Sequence, residues 1–150
     1  MFAVMSGETD KIRQSIAADK NVVTLRDKLG RTLLMEAAIF KREDIAKLLI
    51  ENGADVNTKE VKGWTALHFA IQSYLPDLVK LLISKGADVN ARTHYDNTPL
   101  HEATMTIPKD TKINKVFPDI ISILLFYQFF VIFYRINNWD YPRIISEMKG

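Results

Sequence analysis

Apolar residues fall into short helical stripes separated by polar loops. Ile45, Leu48 and Leu49 stand at i, i+3 and i+4, one face of a helix. Leu78, Leu81 and Leu82 repeat that face 33 residues later. Asp44 and Asp77 occupy the first turn, where the helix dipole favours a carboxylate. Pro76 sits near its helix start, where a missing N–H costs nothing. Gly53 and Gly86 follow the last helical residues, where glycine takes the left-handed backbone cheaply. A shorter helix is predicted from Thr32 to about Phe40 and again from Thr65 to about Gln72. Phe40 and Tyr74 fall at the turn between the two helices of a unit. Each unit therefore reads helix, turn, helix, extended loop.

The pattern repeats in sequence as well as in hydropathy. Gly53-Ala54-Asp55-Val56-Asn57 returns as Gly86-Ala87-Asp88-Val89-Asn90, and Thr32 returns as Thr65 and Thr98, always 33 residues on. Gly63-Trp64-Thr65-Ala66-Leu67-His68 and Thr98-Pro99-Leu100-His101 open two successive units. This period and these motifs resemble the ankyrin repeat family. The resemblance implies an all-α solenoid of stacked helix-turn-helix units, to which the chain's own apolar run adds a helical C-terminus. The expected division is a degenerate capping repeat over 1–26, repeats over 27–59, 60–92 and 93–125, and an apolar tail over 126–150. In the first of these, Ala3, Ile12 and Ile16 take helix positions, Gly7 the inter-helix turn, and Val22 and Val23 the loop. Leu33-Leu34-Met35 replaces Pro-Leu-His in the second, which changes the local hydrogen bonding expected there.

The third full unit departs from the period. Phe117-Pro118-Asp119-Ile120-Ile121 matches Leu75-Pro76-Asp77-Leu78-Val79 at an offset of 42, so nine extra residues lie between its helices. They belong to the stretch 104–116, whose Lys, Thr and Asp residues and Pro108 predict a solvated insertion. The match continues through Ile123-Leu124-Leu125 and then stops. A run of Phe, Tyr, Ile and Val follows, apolar on all sides, and a helix is expected over about 118–134. Three readings of it stay open: a final helix covering the stack, a membrane anchor over 118–136, or a tail that is not a selected structural element. The length is close to the lower bound for a spanning helix, about 17 residues.

Composition excludes some chemistry. The chain has no cysteine, which removes disulfides, thiolate metal sites and cysteine nucleophiles. Its net charge of +2, all of it from residues 105–150, leaves no nucleic-acid footprint. Met1–Met5 is followed by Glu8 and Asp10, unlike a secretory signal, so the expected compartment is the cytoplasm, with membrane association as the alternative. No nucleophile elbow, phosphate loop or zinc-protease motif occurs, and no enzyme, cofactor or metal is expected. The resemblance implies that His68 and His101 are structural, each bonding its motif Thr65 or Thr98 and nearby backbone. A shared metal is disfavoured because successive repeats stack about 10 Å apart.

What the repeats leave free is their loop tips and first-helix faces. The resemblance implies a protein-binding module, with another protein as partner, no nucleic acid, and a monomer when soluble. Arg26, Lys28 and Arg31, then Lys59, Lys62, Trp64 and Phe69, then Arg92, His94, Tyr95 and Asn97 occupy these positions. Trp, Tyr and Arg dominate many protein interfaces, so Trp64 and Tyr95 lead the candidates.

Overall fold

In the computed structural model the backbone is described for residues 2–105 and 117–136, and side chains for 3–105 and 119–128. Eight α-helices and one short 3-10 helix make up the regular structure of these residues. They are α1 (Phe2–Ser6), α2 (Thr9–Ala18), the 3-10 helix (Lys20–Thr24), α3 (Leu33–Ile39), α4 (Glu43–Glu51), α5 (Ala66–Gln72), α6 (Pro76–Ser84), α7 (Pro99–Met105) and α8 (Phe117–Ile136). Among the described residues there is no strand, and Arg26 and Thr32 form an isolated antiparallel bridge.

The helices stack in two layers. α1, α3, α5 and α7 pack in succession, and α2, α4, α6 and α8 form the second layer behind them. The apolar stripes meet between the layers. Ile45 and Leu49 on α4 are fully buried, as are Leu82 on α6 and Leu67 and Ile71 on α5. Burying one such side chain contributes about 1.5–3 kcal/mol, so the stripes rather than helix propensity hold elements this short. This is the all-α solenoid the repeat predicts.

The two ends are closed differently. At the N-terminus, α1 lies on α3 and α2 on α4, burying Val4, Ile12 and Ile16. Arg42 Nη2 donates to the Met5 carbonyl at 3.0 Å, and the Thr9 hydroxyl donates to the Asp44 carboxylate. At the other end, α8 takes the place of a second helix. It packs on both α6 and α7, and Ile120 and Leu124 are as deeply buried as Leu78 and Leu82, their counterparts in α6. Gln128 Nε2 also donates to Asn90 Oδ1 at 3.1 Å, tying α8 to the preceding loop.

α8 contains the expected helix over 118–134 and runs without a break past residue 125, where the repeat pattern stops. Its backbone does not divide there. Residues 106–116 of the expected insertion at 104–116, and 137–150 of the tail, lie outside the described residues. Among the described residues no helix is long and apolar enough to cross a membrane.

Candidate functional site

The loops entering α3, α5 and α7 are three tight fingers with the same backbone bonds. The N–H groups of Asp27, Glu60 and Thr93 donate to the carbonyls of Arg31, Trp64 and Asn97 at 3.0, 2.9 and 3.0 Å. The N–H groups of Gly30, Gly63 and Asp96 donate back to the carbonyls of Asp27, Glu60 and Thr93. Gly30, Gly63 and Asp96 all have positive φ, which glycine tolerates freely and aspartate better than most residues.

Neighbouring fingers are joined near their tips. Val61 N–H donates to the Leu29 carbonyl at 3.0 Å, and His94 N–H to the Lys62 carbonyl at 2.8 Å. The approach is close: a Cβ on Gly63 would stand 3.0 Å from Thr93 Cα and 3.1 Å from the His94 nitrogen.

One side chain at the base of each finger accepts two N–H groups. Asp27 Oδ1 accepts from Leu29 and Arg31, both at 2.8 Å. Glu60 Oε1 accepts from Lys62 at 2.7 Å and Trp64 at 3.0 Å. Thr93 Oγ1 accepts from Tyr95 and Asn97, both at 3.3 Å. The carboxylate bonds are shorter, as charge assistance requires. Sequence reasoning missed these residues because their identities differ; a shared acceptor at the 33-residue offset was the available signal.

A second set of pairs links each finger to its first helix. Arg31 Nε lies 2.8 Å from Asp27 Oδ2 and 3.1 Å from Glu36 Oε1. Trp64 and Phe69 stand with ring centroids 5.1 Å apart. Asn97 Nδ2 donates to Glu102 Oε1 at 3.1 Å. The same two positions thus carry an ion pair, an aromatic pair and a hydrogen bond. Glu36 is buried, and burial raises its pKa against the opposing pull of Arg31. Burial also raises that of Asp27, but its bonds from Arg31 and Leu29 outweigh this and leave it lowered.

The motif histidines bond alike and are covered differently. Thr65 N–H donates to His68 Nδ1 at 3.2 Å, and Thr98 N–H to His101 Nδ1 at 3.3 Å. The threonine hydroxyls lie 2.9 and 2.8 Å from the same nitrogens. A backbone N–H donating to Nδ1 places the imidazole proton on Nε2. His68 is completely buried, whereas His101 is exposed. Burial lowers the His68 pKa to about 4, although the nearby backbone carbonyls of Asn97, in the next unit, and Ala91 oppose the shift. In α3 the place of the histidine is taken by buried Met35, whose N–H donates to Thr32 Oγ1 at 3.3 Å. Among the described residues no group of three or more His, Asp or Glu side chains is placed to hold a metal ion.

The candidate recognition residues divide into two sets. Arg31, Lys62, Trp64, Phe69 and Tyr95 line an open groove of about 370 Å3, with Leu29, Val61, Glu60 and Gln72 completing it. Leu29, Val61 and Tyr95 are 50, 51 and 71% exposed. Trp64 is half-buried and also packs on His68, ring centroids 5.7 Å apart, so part of its role is local packing. Lys59, Arg92, His94 and Asn97 lie outside the groove. Lys59 Nζ donates to the Arg92 carbonyl at 2.9 Å, and Arg92 pairs with Asp96 at 2.5 Å. Gly53 and Gly86 lie past the ends of α4 and α6 at φ +88°.

Comparison with known proteins agrees with this geometry. A family model described as ankyrin repeats (3 copies) matches residues 1–93 and 58–125. Chicken (Gallus gallus) inversin is 36% identical over 70 residues, covering 47% of this chain and 6% of its own length. Human (Homo sapiens) 26S proteasome non-ATPase regulatory subunit 10 is 39% identical over 60 residues, 40% of this chain and 26% of its own. Ankyrin repeat protein 14 of Vaccinia virus (strain Western Reserve) is 37% identical over 49 residues, 33% of this chain and 21% of its own. The chain therefore spans about a quarter or less of the length of these relatives. With the stacked helix pairs, the fingers and the matched family model together, this chain belongs to the ankyrin repeat family.

Proposed function

We propose that this chain is a non-catalytic module that recognises another protein through its finger tips and first-helix face, acting in the cytoplasm as a monomer. The observation that carries this reading is the groove. Leu29, Val61 and Tyr95 expose apolar surface on three consecutive fingers, next to the Trp64–Phe69 pair. The backbone and base-of-finger bonds described above spend the polar groups of the loop on its own shape. The tips are left free, on a rigid support, which lowers the ordering cost of binding. One relative carries in its name a place in a multi-subunit assembly, the 26S proteasome, which fits a recognition role without identifying a partner here.

The test is site-specific photo-crosslinking of the full chain in cells. A photoreactive residue at Tyr95 should capture a discrete protein, and the same residue at Lys80 on α6 should not. Equal capture from both positions, or none from Tyr95, rejects this face.

A further inference from the structure

We propose that the groove takes an extended acidic segment of the partner, anchored by one bulky apolar side chain. This rests on the recognition reading above and adds the chemistry of what is bound.

The charge of the surface carries the inference. Three of its carboxylates, Asp27, Glu36 and Asp96, are already paired with arginines. Asp27 holds two backbone N–H groups and Arg31. Glu60 lines the groove without a cation partner among the described residues, but it is buried at the finger base, where it accepts two backbone N–H groups. Glu36 lies beside Arg31, and Asp96 is paired with Arg92. The cations are not matched in the same way. Arg26, Lys28 and Lys62 are exposed, and none forms an ion pair among the described residues. Lys59 is held through a carbonyl, which leaves its charge unneutralised. A partner therefore meets the unpaired Lys62 in the groove, beside an apolar floor of Val61, Trp64 and Phe69, and the unpaired Arg26, Lys28 and Lys59 outside it, on or just before the same fingers. A basic segment would be repelled, and a neutral one would leave those cations unanswered.

The geometry favours an extended chain. The fingers succeed one another at about one helix diameter, roughly 10 Å. An extended peptide advances about 3.3 Å per residue, so about three residues pass per finger. Carboxylates three residues apart would then meet Lys28 and Lys62 on consecutive fingers, with an apolar side chain between them reaching the floor.

The experiment pans a display library of random twelve-residue peptides on the full chain. The selected peptides are then measured against three proteins: the unaltered chain, Lys28→Glu plus Lys62→Glu, and Val61→Ser plus Tyr95→Ala. Selected peptides rich in Asp and Glu around one Leu, Phe or Trp are expected. Their affinity should fall with salt, and fall about tenfold or more in the charge-reversed variant. Neutral or basic peptides that ignore the charge reversal yet weaken in Val61→Ser plus Tyr95→Ala would overturn the acidic inference and leave the recognition face standing. Peptides insensitive to both variants, or no selected peptide at all, would overturn both. Tighter binding of single-stranded RNA or phosphatidylserine vesicles, abolished by the charge reversal, would replace the acidic peptide as occupant. Circular dichroism of each variant confirms that it is folded; all four substitutions are at exposed side chains.

Discussion

His68 and His101 occupy the same place in consecutive units and bond the same threonine atoms within about 0.1 Å. One is sealed and the other is open. His68 lies under the next finger, close enough to the backbone of Ala91 and Asn97 for both to influence its charge. His101 is exposed, as is Met105 at the end of the same helix. The second helices of these two units match at the inner positions, where Ile120 and Leu124 of α8 are as buried as Leu78 and Leu82 of α6, but Leu125 is 49% exposed where its counterpart Ile83 is buried. The third unit is therefore covered where α8 meets α6 and α7, and uncovered on its finger side and at Leu125. In a solenoid, each unit borrows part of its burial from its neighbour. The local motif sets the hydrogen bonds; the neighbour sets how much they are worth.

The largest effect should come from α8. Leu124→Ala is expected to cost about 3 kcal/mol, like Leu82→Ala, and Leu125→Ala under about 1 kcal/mol, because Leu125 is half exposed. Urea denaturation midpoints decide this. Equal losses at Leu124 and Leu125, or none at Leu124, would break the equivalence of Leu124 and Leu82.

Next comes the pH dependence of the sealed histidine. His68 titrates at about 4 in the folded chain against 6.5 when unperturbed. Below pH 6.5 the unfolded state therefore binds a proton that the folded state refuses, and stability falls as pH is lowered from 6.5 towards 4. The loss saturates below about 4, where both states are protonated, and amounts to roughly 3 kcal/mol at most. The stability difference between the unaltered chain and His68→Gln, measured across this range, isolates it from the carboxylates. A difference that does not change with pH would show that His68 is not sealed.

A smaller contrast concerns two glycines. Gly63 and Gly86 both have positive φ, but an added Cβ meets backbone at Gly63 and nothing within 4 Å at Gly86. Gly86→Ala should cost about 1–2 kcal/mol from backbone strain alone. Gly63→Ala should cost about 1 kcal/mol more, because the finger behind it must move. Equal costs would mean that the fingers are not held together at that contact.

Much of the stack was legible in the sequence. Ile45, Leu48 and Leu49 declare the buried face of α4, and the recurrence of Thr32, Thr65 and Thr98 marks three helix starts. These follow from period and capping, which are local. The bases of the fingers were not legible, because Asp27, Glu60 and Thr93 share an acceptor rather than an identity. The pairs Arg31–Glu36, Trp64–Phe69 and Asn97–Glu102 were missed for another reason. They span five residues across a helix start, where no helical periodicity applies. The candidate recognition residues were read only by position, so the sequence could not separate Lys62 and Tyr95 in the groove from Lys59 and Arg92, which are held by their own chain. The helix expected over 118–134 was legible from its unbroken apolar run and is contained in α8, but a run with no single face could not show which of its residues meet the stack.

The division of labour within the fingers is the central claim: bonds at the base set the shape, and the tips are free to recognise. The most direct measurement pairs two readings on Val61→Ser plus Tyr95→Ala, its urea midpoint and its affinity for the protein captured at Tyr95. The expected result is an affinity at least tenfold weaker, about 1.4 kcal/mol, with the midpoint unchanged. An unaltered affinity, or a midpoint that falls in step with it, would contradict the separation of support from recognition.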